Sequence, residues 1–392
     1  MPERPPIARA HERNLGLDVV RAVAIVLVMV SHWTNNIGFW LGLKPPPALY
    51  FAGTLGVELF FALSGFLIGR ILLDIAEQAP TGRNLLAFLA RRWMRTLPLY
   101  FLWLAALFLF WPPRHHVGRY ALEFGTLTQN LLQPMPGDFF FAVSWSLTIE
   151  EWFYLLFGAA IIGCAAFWRS RHAVWVPLLF FLMVPLALRL AIFGLAARPD
   201  DYADLVVLRL DEIAYGVLLA TLHGRRPGLF RHPLPLLGLG LLLVGVVWSG
   251  RLALPPLLFR ALVHNVTVIG CALCLPAALA LRLGPNLFTR AIRRISAWSY
   301  GLYMIHLTII VDLVQGLWSV HRISTPVAVA LALVLPFPLA ALSFRFFEQP
   351  ILGLRPALRL PGGRRRGAAP GPDRIAFSDR EAVGIEVPLR EG

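Results

Sequence analysis

About ten apolar runs, most of them close to 20 residues long, follow one another along the chain. A helix of that length spans the hydrocarbon core of a bilayer. Strands of a membrane barrel alternate apolar and polar residues, and these unbroken runs do not. We therefore predict an all-α, polytopic integral membrane protein with about ten transmembrane helices. The predicted spans are 15–34, 51–70, 97–112, 144–167, 174–195, 203–223, 233–250, 256–282, 296–318 and 326–347.

Composition agrees with a lipid environment. The 392 residues are 57% hydrophobic and 15% charged, with a mean hydropathy of +0.66. Soluble chains carry roughly 45–50% apolar and about 25% charged residues. The net charge of +14 could indicate a nucleic-acid partner, but the arginines lie between apolar runs and form no contiguous basic face. We expect no nucleic acid to bind.

The three cysteines all lie in apolar segments, and Cys271 and Cys274 form a C-x-x-C pair. A second Cys or His pair at metal-binding spacing is lacking near them in the sequence. We interpret them as packed thiols and predict no bound metal.

The arginines predict an orientation. With the N-terminus inside, the inner segments contain 22 Lys or Arg residues and the outer loops contain 7. The positive-inside rule therefore places both termini in the cytoplasm, and we expect a multi-pass protein of the bacterial inner (plasma) membrane. Residues 1–352 form the predicted membrane domain. Residues 353–392, rich in Pro, Gly and Arg, are predicted to be a flexible cytoplasmic tail, and the long outer loop 113–143 a structured cap.

The first apolar run contains Arg21 and His32, eleven residues apart. At about 100° per residue this spacing places both on one helix face, about 16 Å apart along the axis. A charge in lipid needs a partner or a function. We predict that Arg21 lies in the inner half of the membrane and His32 near the outer surface.

The fourth run contains Glu150, four residues from both Ser146 and Tyr154, so the three share a helix face. Glu150 would lie about 9 Å below the outer end of its span, close to the predicted depth of His32. This predicts that His32 acts as a base oriented by a carboxylate, either Glu150 or its neighbour Glu151. The alternative is that Glu150 pairs with an arginine for structure only.

On the predicted inner side, Arg92 and Arg95 are three residues apart and face the same way if helical. Paired guanidinium groups suit a phosphate or pyrophosphate. The alternative is an ordinary anchor for lipid headgroups.

Other polar residues fall inside apolar runs. Arg209, Asp211 and Glu212 can satisfy one another only partly, so at least one should reach another helix. His306 is interpreted as a buried hydrogen-bonding histidine rather than a second base. For Ser64-Gly65, close helix packing and a functional role remain equal alternatives.

An ordered set of motifs runs through about residues 14–350. The motifs are Asp18 to Arg21 with His32, Gly56 to Ile68, Arg92 to Arg95 with Pro98 and Tyr100, Ser146 to Tyr154, Arg209 to Gly216, Ser299 to Tyr303 with His306, and Phe344 to Pro350. This set resembles the acyltransferase-3 family of integral membrane acyltransferases, which includes bacterial sugar and polysaccharide O-acetyltransferases. Two positions depart from the family pattern: Trp152 replaces glutamine and Glu58 replaces aspartate.

The resemblance implies a mechanism. A cytoplasmic acyl-CoA, normally acetyl-CoA, is the donor, and no cofactor is permanently bound. Arg92 and Arg95 would hold its phosphates, and Arg21 would guide the pantetheine or acyl portion. His32, oriented by Glu150, would deprotonate a hydroxyl of a glycan, a glycolipid or a glycosylated small molecule; a transient acyl-histidine is the second variant. The supporting residues implied are Ser146, Glu151, Tyr154, Glu58, Asp211 and Arg209.

A proton-coupled transporter or flippase of a glycan or lipid-linked substrate is the alternative function. Intramembrane Arg, His and Glu residues suit it equally. Against it, the sequence shows neither an inverted repeat nor a pair of broken helices in matching halves.

Overall fold

The computed structural model describes residues 14–356 and 358, apart from 114, 137–139, 169, 171, 197 and 251–253. Within these residues the chain forms helices and no strand, which confirms the predicted all-α class. The predicted tail beyond residue 358 lies outside the described residues. So do several arginines counted for the orientation, at positions 4, 9, 13, 114, 169, 171 and 251.

The described residues form a long helix at each of the ten predicted positions. Two of these are composite and consist of successive α-helical and π-helical segments. The helices are α1 (Leu15–Leu41), α2 (Pro47–Gln78), α3 (Gly82–Phe110), the short loop helix α4 (Val117–Gly125), α5 (Ser144–Trp168), α6 (Trp175–Leu195), α7 (Val206–Arg225), α8 (Pro233–Trp248), α9 (Pro256–Ala280), α10 (Leu287–Leu307) with π1 (Thr308–Gln315) and α11 (Gly316–Ser319), and α12 (Thr325–Val334) with α13 (Pro336–Ser343), π2 (Phe344–Glu348) and α14 (Gln349–Gly353).

In the described part of the chain, eight helices are long and apolar enough to cross a membrane. The two remaining helices are α7, which carries Arg209, Asp211 and Glu212, and α8, which has only 16 residues. The protein is therefore polytopic, while ten crossings and inward-facing termini stay predictions.

Helix α3 begins earlier than the sequence predicted. The predicted span started at residue 97, because the arginines before it lower the local hydropathy. In the structure the helix starts at Gly82. The Thr81 side chain caps it by accepting a hydrogen bond from the backbone N–H of Asn84. Arg92 and Arg95 therefore lie within the helix, as their predicted shared face requires.

Helices α2 and α7 approach each other through glycines. A Cβ atom on Gly65 would lie 2.0 Å from the carbonyl oxygen of Ile213, and one on Gly216 would lie 2.3 Å from that of Ala62. Any side chain there would collide with backbone. This confirms the packing interpretation of Gly65.

We expect the substitution Gly65→Ala to destabilise the protein, because the methyl group must push α7 away. Overpacking of this kind costs about 1–3 kcal/mol. The melting temperature of purified protein in detergent measures the loss. Gly245→Ala in α8 is the control, since a Cβ atom there meets nothing within 4 Å. Equal melting temperatures for the two variants would contradict the prediction.

The loop between α3 and α5 packs against the start of α5, so its described part is structured as predicted. Gln129 and Asn130 are fully buried. The Gln129 amide donates to Thr148 at 2.6 Å, and the Asn130 amide donates to the carbonyl oxygen of Trp145 at 3.2 Å. The indole N–H of Trp152 donates to the Leu127 carbonyl oxygen at 2.7 Å. Trp152 therefore supplies a hydrogen-bond donor at the position where the family has an amide.

Candidate active site

A cavity of about 140 Å³ lies between α1, α2, α3, α5 and α10. It extends along α2 from Val57 to Leu67, a distance of about 15 Å at 1.5 Å per residue. Six of the site residues predicted from the sequence line it. They are Arg21, Arg92, Arg95, Ser146, Glu150 and Tyr154.

Two of the three arginines form ion pairs with carboxylates, one within its own helix and one with another helix. Arg21 pairs with Asp18 at 3.6 Å on the same helix. Arg95 pairs with Glu348 of π2 at 3.4 Å and lies over the ring of Tyr300. These ion pairs orient the guanidinium groups of Arg21 and Arg95 at the cavity wall.

Arg92 lies against aromatic rings, with its guanidinium carbon 5.9 Å from the ring centroids of both Phe88 and Tyr154. Cation–π contacts of this kind help to position the guanidinium of Arg92 at the cavity wall.

Glu150 faces the cavity together with Ser146 and Tyr154, which confirms the predicted shared face. Its carboxylate lies beside the hydroxyl groups of Ser64 and Tyr154, which hydrogen-bond to each other at 2.7 Å. Glu151 does not line the cavity. It is buried and accepts a hydrogen bond of 2.6 Å from the hydroxyl of Thr96.

His32 does not pair with Glu150. Its Nδ1 atom lies 2.8 Å from Nε2 of His306 on α10, and the two rings are tilted with centroids 4.9 Å apart. The predicted pair of His32 and Glu150 is therefore wrong. The interpretation of His306 as a buried hydrogen-bonding histidine is confirmed.

The depths of the two groups explain this difference. Tyr303 hydrogen-bonds to Ser146 at 2.6 Å. His306 lies three residues beyond Tyr303 on α10, and Glu150 lies four residues from Ser146 in the opposite direction, so the histidine pair and Glu150 are about 10 Å apart along the helix axes. The sequence estimate failed because it measured each residue from the end of its own helix. Helix α1 continues to Leu41 instead of ending at residue 34, so it extends past the level at which α5 begins, and His32 lies nearer to that level than Glu150 does.

The histidine pair lies next to one end of the cavity. Tyr303 and Met304 line that end, and the Tyr303 ring centroid is 6.1 Å from that of His306. His32 is half-buried. The three arginines lie along the same cavity, with Arg21 eleven residues before His32 on α1.

Three predicted supporting residues, Glu58, Arg209 and Asp211, lie outside the lining of this cavity. Arg209 donates to Glu58 of α2 at 3.0 Å and to Glu212 at 2.7 Å. Asp211 pairs with Arg189 of α6. As predicted, the charges of α7 reach other helices, and here they join α2, α6 and α7 by buried ion pairs.

One group of described residues has the composition of a metal site. Single ligand atoms of Glu58, Glu212 and His264 all lie within 4.8 Å of one another. Arg209 hydrogen-bonds to both carboxylates and lies 3.2 Å from Nδ1 of His264. A cation would have to displace this guanidinium, so we assign the group to helix packing.

Sequence reasoning missed Arg189 and Glu348. Arg189 is a lone arginine within the predicted span 174–195, and an isolated charge in lipid was itself the signal for a partner. Glu348 lies in the last motif of the resemblance, but its partner Arg95 is 253 residues away and no spacing rule connects the two.

Comparison with known proteins agrees with the motifs. Residues 14–345 match the model of a family described as an acyltransferase domain, and the chain belongs to this family. YrhL of Bacillus subtilis (strain 168), provisionally named a peptidoglycan O-acetyltransferase, is 26% identical over 386 residues, covering 87% of this chain and 55% of YrhL. The O-acetyltransferase OatA of Staphylococcus aureus (strain NCTC 8325 / PS 47) is 28% identical over 225 residues, covering 52% of this chain and 34% of OatA. The chain thus spans about half the length of the first relative and a third of the second. No solved structure matches significantly.

Proposed function

We propose that this member of the acyltransferase domain family is a membrane O-acyltransferase that moves an acyl group, normally acetyl, from acyl-CoA to a hydroxyl group of a glycan. The observation that supports this proposal most directly is that three arginines line the cavity and the histidine pair lies next to one end of it. The arginines suit the anionic part of the donor, and the histidines suit proton transfer at the thioester.

The arginines would bind the phosphate groups of CoA through forked, charge-assisted hydrogen bonds. The cavity of about 140 Å³ is small, since sites that enclose a drug-sized ligand have roughly 300–1,000 Å³. It would therefore admit the acyl group and the end of the pantetheine arm, while the nucleotide stays outside near Arg92 and Arg95. Glu150 would hold the hydroxyl groups of Ser64 and Tyr154 in place by hydrogen bonds on the part of the cavity wall that faces the pantetheine arm.

In the proposed reaction, His32 takes the proton of the acceptor hydroxyl while the hydroxyl oxygen attacks the thioester carbonyl carbon. The new C–O bond forms, the C–S bond breaks, and His32 returns the proton to the departing sulfur. The products are the O-acyl glycan and CoA, so no net proton is released. An acyl-histidine intermediate at His32 is the second variant of this scheme.

The proposed acceptor class comes from the relatives. The name of YrhL gives peptidoglycan as its substrate, and a cell-envelope glycan or glycolipid is the class we propose for this chain. A glycosylated small molecule is the other acceptor class, because its sugar hydroxyl groups can react in the same way.

The test is release of CoA from acetyl-CoA by purified protein in detergent, with peptidoglycan fragments and polysaccharide oligomers as acceptors. Acceptor-dependent release, with the O-acetyl ester detected by mass spectrometry, would support the proposal. Transport of the glycan into proteoliposomes without any acetylated product would overturn it in favour of the transporter alternative.

We expect the substitution Arg92→Gln to raise the KM for acetyl-CoA about tenfold and to change kcat by less than about twofold, because a phosphate contact is made equally in the ground and transition states. Steady-state kinetics with varied acetyl-CoA measure this. Arg83→Gln, an exposed arginine near the start of the same helix, is the control. A fall in kcat at unchanged KM would contradict the role of Arg92 in donor binding.

A further inference from the structure

The histidine pair has hydrogen-bond partners that settle which nitrogen atoms carry protons. We propose that His306 is a positioning residue that fixes His32 in the tautomer protonated at Nδ1, so that Nε2 of His32 is the atom that takes the proton of the acceptor. This inference rests on the proposed function for its catalytic consequence, but the tautomer itself can be measured without any activity.

The first step concerns His306. Its Nδ1 atom lies 2.9 Å from the carbonyl oxygen of Leu302 and 3.0 Å from that of Tyr303. Carbonyl oxygens only accept hydrogen bonds, so this nitrogen must carry a proton. A neutral imidazole has one N–H group. Nε2 of neutral His306 is therefore an acceptor.

The second step transfers this constraint to His32. Nδ1 of His32 and Nε2 of His306 are 2.8 Å apart, so one of them donates to the other. Because Nε2 of His306 is an acceptor, Nδ1 of His32 is the donor. Neutral His32 then has its lone pair on Nε2, on the part of the ring that His306 leaves uncovered.

The neutral form of His306 follows from its surroundings. Its side chain is fully buried, and in the described part of the chain neither histidine of the pair forms an ion pair with a carboxylate. A charged imidazolium there would pay a large desolvation penalty without compensation.

The backbone of α10 itself holds this arrangement. Leu302 and Tyr303 precede His306 by four and three residues, so their carbonyl groups lie on its own helix face. Tyr303 is in turn tied to Ser146 of α5 at 2.6 Å. The Nε2 atom of His306, which accepts the hydrogen bond from His32, is thus held in place by α10, and the bond between Tyr303 and Ser146 holds α10 against α5.

An uncharged partner has a chemical consequence. A carboxylate would stabilise the imidazolium form of His32 by its charge, whereas His306 stabilises it only as a dipole. His32 should therefore pass the hydroxyl proton on to the departing sulfur without accumulating as a cation, which matches a transfer with no net proton release.

The kinetic test compares two substitutions that both remove the imidazole. Phenylalanine keeps the ring volume but offers no acceptor, whereas the glutamine amide oxygen can accept from Nδ1–H of His32. We expect His306→Phe to lower kcat about 100-fold with the KM for acetyl-CoA unchanged within about twofold, and His306→Gln to restore at least about tenfold of that loss. Equal kcat values for the two folded variants, or an unchanged kcat in His306→Phe, would overturn the proposal.

The second measurement is independent of activity. Solid-state ¹⁵N NMR of histidine-labelled protein distinguishes an imidazole protonated at Nδ1 from one protonated at Nε2, and the His32→Gln spectrum identifies the signal of His32. The proposal requires the Nδ1-protonated form in the wild-type protein and its loss in His306→Phe. An Nε2-protonated His32 in the wild type would overturn the proposal. If His32 is protonated at Nδ1 but the protein transfers no acyl group, the proposed function fails while the inferred tautomer stands.

Discussion

The substitution His32→Gln is expected to lower the turnover of acyl transfer by about 10²–10⁴-fold, the contribution typical of a positioned general base. Glutamine keeps much of the size of histidine, but its amide cannot take a proton at neutral pH. His32 is half-buried, and its Nδ1 atom is already bonded to His306, so the substitution removes chiefly the proton-accepting Nε2. Acceptor-dependent release of CoA from acetyl-CoA measures the loss.

The matched control is His232→Gln, an exposed histidine before α8 that lies far along the chain from the cavity-lining residues. It should keep wild-type turnover. Binding of acetyl-CoA by His32→Gln, followed as a rise in melting temperature, shows that the variant is folded. A folded His32→Gln protein with turnover within about fivefold of wild type would exclude His32 as the base.

The substitution Glu150→Gln tests whether Glu150 orients His32, as the sequence predicted, or whether His306 does, as the structure indicates. If Glu150 oriented His32, Glu150→Gln and His32→Gln would both lower kcat. In the structure Glu150 lies beside Ser64 and Tyr154, with Arg92 and Arg21 as its neighbouring cations. We therefore expect Glu150→Gln to act mainly on the KM for acetyl-CoA, and an effect confined to kcat would contradict this expectation.

Hydropathy and helix periodicity predicted the features that depend on one helix at a time. The ten helix positions follow from apolar runs, and the shared faces of Arg92 with Arg95 and of Glu150 with Tyr154 follow from spacings of three and four residues. Each of these inferences needs only the geometry of a single helix.

Contacts between helices could not be predicted with the same accuracy, because they depend on where each helix ends. The sequence estimate measured His32 and Glu150 from the ends of their own helices and took those ends to lie at one height. Helix α1 continues to Leu41, seven residues or about 10 Å past its predicted end at residue 34, so similar distances from the two helix ends do not give similar heights. The partnership of Arg95 with Glu348 depends in addition on a π-helical turn, which apolar periodicity does not reveal.

The second large effect is expected from Arg189→Leu, a substitution outside the cavity. Arg189 is fully buried, and its guanidinium donates to Asp211, to Asn265 and to the carbonyl oxygen of Leu208. Leucine would leave the buried carboxylate of Asp211 without its cation. Breaking a buried ion pair in this way costs about 3–5 kcal/mol. We expect the variant to accumulate poorly and to melt far below the wild type in detergent.

The double variant Arg189→Leu with Asp211→Leu shows whether the unpaired charge causes the loss. Replacing both members of a buried ion pair by apolar residues is often neutral, so the double variant should regain most of the melting temperature. Arg260→Leu provides the exposed comparison, because its pair with Asp200 at 3.2 Å is open to solvent and such pairs contribute at most about 1 kcal/mol. If the double variant melts as low as Arg189→Leu alone, the buried pair acts through its shape and hydrogen bonds, and the charge argument for these residues fails.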